Sequence, residues 1–264
     1  SVSVPEVIKI LASRFVNVTK TWSNTAEGVV FTLRLPRMIG AVLVGSALSL
    51  SGAAYQGVFK NPLVAPDLLG VSSGACVGAS VAILLHLNSF GVQAMAFVAG
   101  ILAVGLTLFI PRLIKNTNMT MLVLSGIIVK GIMDSVMGII KYVADPETEL
   151  QSITYWQLGS LTKVLPRDLF TVGPVIIAAS VIIFLLRWRI NILSLGDREA
   201  KTLGVSVTVV RNFIIICATL LTASAVCISG TIGWIGLVIP HFARMLTGPD
   251  NTKAIPASIL IGAI

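Results

Sequence analysis

Apolar stretches long enough to cross a bilayer recur along almost the whole of this 264-residue chain. A hydrocarbon core about 30 Å thick needs about 20 helical residues at about 1.5 Å each. Runs of that order fall at 38–59, 71–88, 93–111, 119–143, 168–186 and 207–229, and two shorter ones follow at 232–246 and from 254 onward. With no water in the bilayer core, backbone N–H and C=O groups must be satisfied within each segment, which makes these runs helices. A β-barrel would alternate polar and apolar residues instead. With 55% hydrophobic and 11% charged residues, the chain is far more apolar than a soluble fold. The expectation is all-α: a polytopic transmembrane helical bundle, one domain over 1–264.

The opening SVSVPEVIKILASRF is amphipathic and charged and does not resemble a signal peptide. The last apolar run stops at Ile264 after about half a span. Both ends point to a fragment lacking a helix on each side. Cys76, Cys217 and Cys227 lie within apolar runs without CxxC spacing, and His86 and His241 stand alone, so no metal site is expected. The net charge of +8 comes from basic residues scattered over the loops, which suits membrane topology and not nucleic acid.

With the residues before 38 placed outside, the inner loops hold ten basic and four acidic residues and the outer segments eight and six. The positive-inside bias favours this orientation. Arg34 and Arg37, in TLRLPRMIG, go against it at the outer mouth of the first crossing. Two readings stand. The guanidiniums can fork onto carboxylates of a soluble partner, or they can snorkel to lipid phosphate.

Five further features stand out along the chain. At Lys60-Asn61-Pro62-Leu63, Pro62 disfavours helical geometry at Asn61 and Pro66 opposes a quick restart, so a short irregular turn is expected, as a gate or as an ordinary loop. Gly70, Gly74 and Gly78 form one helical stripe for close packing, and Gly40, Gly45, Ser49 and Gly52 do the same in the preceding span. Lys130 and Asp134 lie four residues apart inside a span, where an unpaired charge is costly; they either neutralise one another or line a path. The polar stretch LSLGDREAKTLGV, with Asp197, Arg198, Glu199 and Lys201 between Gly196 and Gly204, reads as a short surface helix or a solvated loop. The longest polar stretch, 145–168, belongs outside, with Tyr155 and Trp156 as interfacial anchors or cargo contacts.

Three blocks carry a resemblance: RLPRMIGAVLVGSALSLSGAAYQGVFKNPLVAPDLLGVSSGACVG at 34–78, NILSLGDREAKTLGVSV at 191–207 and SGTIGWIGLVIPHFARML at 229–246. In that order they resemble the FecCD-type permeases, the membrane subunits of ATP-driven importers for ferric siderophores, haem and vitamin B12. The resemblance implies a ten-helix fold, of which this chain holds about eight helices, one of them partial. It implies a homodimer in a prokaryotic cytoplasmic membrane, two cytoplasmic ATPase subunits and an extracytoplasmic substrate-binding protein. Arg34 and Arg37 match arginines that dock the binding protein. Asn61 and Leu63 match a narrowing at the cytoplasmic end of the path. The helix holding Lys130 and Asp134 matches a gate helix, and Leu195, Gly196, Asp197, Arg198, Glu199, Ala200, Leu203 and Gly204 fall in the segment that couples to the ATPase. Pro240 and His241 match a structural motif, and 145–168 matches a short helix beside the outer vestibule.

No GxxxxGK[ST] phosphate loop occurs, so ATP and Mg are expected on a partner and no cofactor or catalytic residue on this chain. The implied cargo is a metal chelate, by default a ferric siderophore, moved by alternating access. An ion-driven secondary carrier would show an inverted repeat, and a membrane enzyme a catalytic His/Asp/Glu cluster; neither is visible.

Overall fold

The computed structural model describes residues 3–14, 16, 19–116 and 118–264, and among these every regular element is helical. A short helix α1 (Val4–Ala12) precedes α2 (Asn24–Gly28), which runs through a π-helical turn, Val29–Arg34, into α3 (Leu35–Phe59). The first crossing is therefore the end of one continuous helix from Asn24 to Phe59. Pro36 explains the wide turn. Its ring nitrogen cannot donate to the turn before it, and the ladder absorbs the loss by shifting to i→i−5 bonding, as Leu35 N–H to Val30 C=O shows.

α3 is the axis of the bundle. Nearly every residue from Val44 to Phe59 is buried. Its main partner, α10 (Val207–Ser229), is tied to it by hydroxyls: Ser51 Oγ lies 2.7 Å from Thr222 Oγ1 and donates to Ala218 C=O at 2.9 Å, and Tyr55 OH lies 3.0 Å from Thr219 Oγ1. Between apolar helices in lipid, such bonds and close backbone packing hold what the hydrophobic effect cannot. Around this pair stand α5 (Ser89–Leu113) and α8 (Pro166–Leu195), with α6 (Met119–Val143) packed outside on α5; long apolar faces stay exposed, with Leu102, Leu106 and Phe109 on α5 and Ile177, Val181 and Leu185 on α8. Exposed aliphatic faces on spanning helices are what a lipid boundary requires.

One expected full crossing is a short helix, and the run at 232–246, already short in the sequence, also holds a short one. In place of 71–88 stands α4 (Val71–Leu84), and in place of 232–246 stands α11 (Ile235–Thr247). At 14 and 13 residues each falls short of the roughly 20 needed to span. The reason lies in the α3–α4 connection. A Cβ added at Gly236 would sit 2.2 Å from Pro66 Cγ and 2.7 Å from Leu48 C=O, so Pro66 lies at the level of Leu48. The chain leaves α3 at Phe59, turns, and climbs back about 16 Å, the rise of the α3 segment from Leu48 to Phe59. There it forms a 3₁₀ turn, Pro66–Leu69, before α4 begins. Pro66 thus opens a tight helical turn, where the sequence suggested that it would only delay one. Apolarity alone could not locate these breaks, because re-entrant backbone buried in protein is itself apolar.

The remaining elements are α7 (Glu149–Gln157), α9 (Asp197–Thr202) and α12 (Asn251–Gly262). α8 continues nine residues past its expected end at 186, to Leu195, since Arg187 and Arg189 are compatible with a helix that leaves the lipid. Close approach runs through glycines, as expected at Gly52, Gly74 and Gly78: a Cβ at Gly78 would meet Met95 C=O at 2.3 Å and one at Gly74 the Ala99 C=O at 2.8 Å. Gly70 does not belong to that stripe. It takes a left-handed φ of 81° and ends the 3₁₀ turn.

Candidate functional site

Between the 3₁₀ turn, the N-terminal half of α4, α6 and the 231–237 segment opens a cleft of about 290 Å³. Ser72, Ser73, Lys130, Asp134, Gln157 and Trp234 line it. It sits where two helices are interrupted, at the ends of α4 and α11, the arrangement that places broken backbone around a path through a membrane. The segment before α11 is held at the far end of α10 by the end of α7 and the loop after it: Ser160 N–H donates to Ser229 C=O at 2.6 Å and Thr231 Oγ1 donates to Gln157 C=O. Trp234, 77% exposed at the mouth, takes φ 69°, a left-handed conformation rare for a bulky side chain.

Lys130 and Asp134 both line the cleft, but they do not pair with each other. Lys130 Nζ lies 2.7 Å from Asp67 Oδ2, on the 3₁₀ turn. Asp67 also accepts the Ser72 N–H through Oδ1 at 3.0 Å, capping α4. The i,i+4 pairing gives way to Asp67 because the Ser72 N–H already holds that carboxylate in place, so less side-chain freedom is lost when Lys130 meets it. Sequence spacing could not reveal Asp67, which is brought to α6 by the re-entrant climb. Replacing Lys130 with Met leaves the Asp67 carboxylate uncompensated and should cost about 1–3 kcal/mol. Thermal unfolding of the detergent-purified permease checks this, with a double-mutant cycle through Asp67→Asn; a coupling near zero would show that the two charges act independently.

At one end of the bundle, the Asn61–Leu63 turn and α9 lie together. Lys60 closes α3 in a left-handed conformation, φ 52°, and Asn61 Oδ1 accepts the Leu63 N–H at 2.9 Å in an Asx turn. Leu63 is 78% exposed. Gln56, buried beneath the turn, donates to Val64 C=O at 3.2 Å and Leu237 C=O at 3.3 Å and accepts from Arg244, so it ties the turn to α11. α9 ends in a Schellman motif: Val205 N–H reaches Ala200 C=O and Gly204 N–H reaches Lys201 C=O, both at 3.0 Å, with Gly204 at φ 76°. Ala200 is buried, Gly196 half-buried, and Leu195, Asp197, Arg198, Glu199, Leu203 and Gly204 are exposed.

Asp197 joins three elements. It accepts from Arg211 of α10 at 2.7 Å and from Lys60 at 3.4 Å. The Arg211 hydrogen bond, followed by the charges of Arg211 and Lys60, holds its carboxyl below the usual carboxylate range. A folded pKa that is depressed contributes stability above the unfolded value of about 3.9, and that contribution is lost as pH falls through the lower folded value. The carboxylate is half-exposed, so solvent screens the effect. Protection of the α9 amides from hydrogen exchange, corrected for intrinsic rates, should hold from neutral pH down to about 4 and fall below it. Asp197→Asn should show the low protection at every pH; unchanged protection in that variant would remove the anchor role.

At the opposite end, Arg34 is exposed and Arg37 half-buried, three residues apart on the continuous helix, and Arg37 Nε is buried without a hydrogen-bond partner among the described residues. Tyr155 and Trp156 line a second cleft of about 280 Å³, and Lys163 Nζ lies 4.3 Å above the Tyr155 ring.

The FecCD transport family is matched over residues 1–264. The chain belongs to the FecCD transport family. It is 36% identical over 264 residues to the molybdate import system permease protein MolB of Haemophilus influenzae, covering 100% of this chain and 77% of that protein. It is 36% identical over 239 residues to the hemin transport system permease protein HmuU of Yersinia pestis, covering 88% and 70%. Among solved structures it superimposes on an ABC transporter in an inward-facing conformation with a TM-score of 0.87 and 34% identity, over 97% of this chain and 83% of that one. The FecCD chain is therefore the multi-pass permease subunit of an ABC importer, a class in which a separate subunit carries the ATPase and a binding protein delivers cargo.

Proposed function

We propose that this permease imports a metal chelate, by default a ferric siderophore, as a homodimer in a prokaryotic cytoplasmic membrane, by alternating access. The observation that carries the reading is the continuity between α9 and the cleft. Asp197 links α9 to Lys60 at the end of α3, Gln56 links the following turn to α11, and Asp67 on the same re-entrant segment links to Lys130 on α6. A displacement of α9 has a connected route to both sides of the cleft.

In this reading two ATPase subunits with bound ATP and Mg receive α9 and the exposed residues around it, from Leu195 to Gly204. Asn61 and Leu63 form the cytoplasmic gate, Lys130 and Asp134 line the translocation pathway, and Arg34 and Arg37 dock the binding protein. The small, unfilled positions Gly131 and Gly138 on the exposed face of α6 suit close approach of a second copy. Lipid covers the exposed aliphatic faces of α5 and α8.

The test is Gly204→Val. A β-branched residue forced into the left-handed region costs about 1–2 kcal/mol, enough to fray the end of α9. Cargo-stimulated ATP hydrolysis by the assembled transporter should fall several-fold. Stimulation equal to that of the parent would remove α9 from the coupling route.

A further inference from the structure

The central cleft is electrically unbalanced. Among the described residues lining it, the charged side chains are Asp67, Lys130 and Asp134. Lys130 is committed to Asp67 at 2.7 Å, and the other Asp67 oxygen is taken by the Ser72 N–H. Asp134, exposed on the same face of α6, has no ion pair and no hydrogen-bond partner among the described residues. At the N-terminus of α11, the Ile235, Leu237 and Val238 N–H groups already donate to Gly233 and Trp234 carbonyls. Each copy therefore presents one uncompensated carboxylate to a path with low-dielectric walls, where fields are screened less than in water.

We propose that this cleft discriminates by cargo charge: Asp134 admits a metal complex that is neutral or positively charged and rejects polyanionic complexes and oxyanions. The inference rests on the importer reading and sharpens its substrate class. An anion in the path meets Asp134 with no free cation among the described residues lining the cleft, because Lys130 is neutralised by a carboxylate that also caps a helix. A cationic group on the cargo meets an acceptor whose lone pairs are all available. In a homodimer two such carboxylates face one path and the preference doubles in charge.

The potential can be read without any transport. Ser73, half-buried in the cleft wall, is replaced by Cys in a Cys76→Ala, Cys217→Ala, Cys227→Ala background. Its modification rates by a cationic trimethylammonium-ethyl and an anionic sulfonato-ethyl methanethiosulfonate are then compared, each normalised to a free thiol. The normalised ratio should favour the cationic reagent about tenfold, approach unity in Asp134→Asn and invert in Asp134→Lys. A parent ratio at or below unity overturns the proposal. In proteoliposomes holding the complete transporter and its binding protein, three labelled probes are then compared: a ferric trihydroxamate with a free ammonium group, a ferric tricatecholate and molybdate. ATP-driven uptake of the ammonium-bearing complex, lost in Asp134→Lys, is the expected result. ATP-driven uptake of the tricatecholate or molybdate instead overturns the charge assignment while leaving the importer reading intact. Uptake that ignores ATP, with the thiol ratio unchanged, contradicts the importer reading itself.

Discussion

A Gly52→Val permease is expected not to accumulate as folded protein. A Cβ at position 52 would lie 1.7 Å from the Gly236 carbonyl oxygen, a backbone atom and not the end of a movable side chain. α3 and α11 would have to separate, and with them the contact of Gly236 with Pro66 that sets the depth of the 3₁₀ turn. Overpacking against movable side chains costs about 1–3 kcal/mol; against fixed backbone the loss should reach or exceed the top of that range. Size-exclusion profiles of detergent-solubilised protein would show loss of the monodisperse peak. Gly105→Ala is the control, because nothing lies within 4 Å of its added Cβ and alanine is favoured over glycine in a helix by about 0.5–1 kcal/mol. Equal yields for the two variants would contradict the packing account.

Charge reversal at Arg34 and Arg37 should have the largest functional effect. The two side chains stand three residues apart on a helix that continues from Asn24 to Phe59, about 54 Å by helical rise. That is well beyond a bilayer's hydrocarbon core, so the arginines have room to stand clear of lipid. A snorkelling anchor would need only the cation, and Lys would serve as well as Arg. A docking pair needs guanidinium forks against carboxylates. Arg34→Glu with Arg37→Glu should weaken binding-protein affinity at least about 100-fold, the scale of removing desolvated charge pairs. The double Lys variant should show an intermediate loss. Titration of the reconstituted permease with labelled binding protein decides it: unchanged affinity in the Glu variant rejects the docking role, and full affinity in the Lys variant favours a generic cation.

How much of this was readable from residues alone varies with the physics behind each feature. The helices at 93–111, 119–143 and 207–229 were legible because lipid imposes length and apolarity together. The polar island at Gly196–Gly204 was legible because charge between two spans has to leave the lipid and glycine marks its ends; α9 lies within it. The run at 71–88 reads as a full span while α4 covers only Val71–Leu84, since re-entrant backbone shielded by protein carries no polar signature; the run at 232–246, short in the sequence, is short in the structure as α11. Asp67, the partner of Lys130, is hidden from the sequence for the same reason. Sequence spacing offered Asp134 four residues on, whereas Asp67 reaches Lys130 only through a fold in which residue 66 returns to the level of Leu48. For Arg34 and Arg37 the residues leave docking and snorkelling both open, and only block resemblance points to docking, as it alone points to coupling at 195–204; resemblance locates segments and says nothing of geometry. Gln56, the buried amide that joins the turn to α11, carried no signal beyond being a polar residue in an apolar run.

The central claim is that this chain transports only as one part of an ATP-driven assembly. The direct measurement is cargo accumulation in proteoliposomes containing the permease, its ATPase and its binding protein, with ATP and Mg supplied or withheld on the ATPase side. Accumulation against a gradient that requires ATP, the ATPase subunit and the binding protein together is the predicted result. Accumulation by the permease alone, driven by an imposed ion gradient, would contradict it.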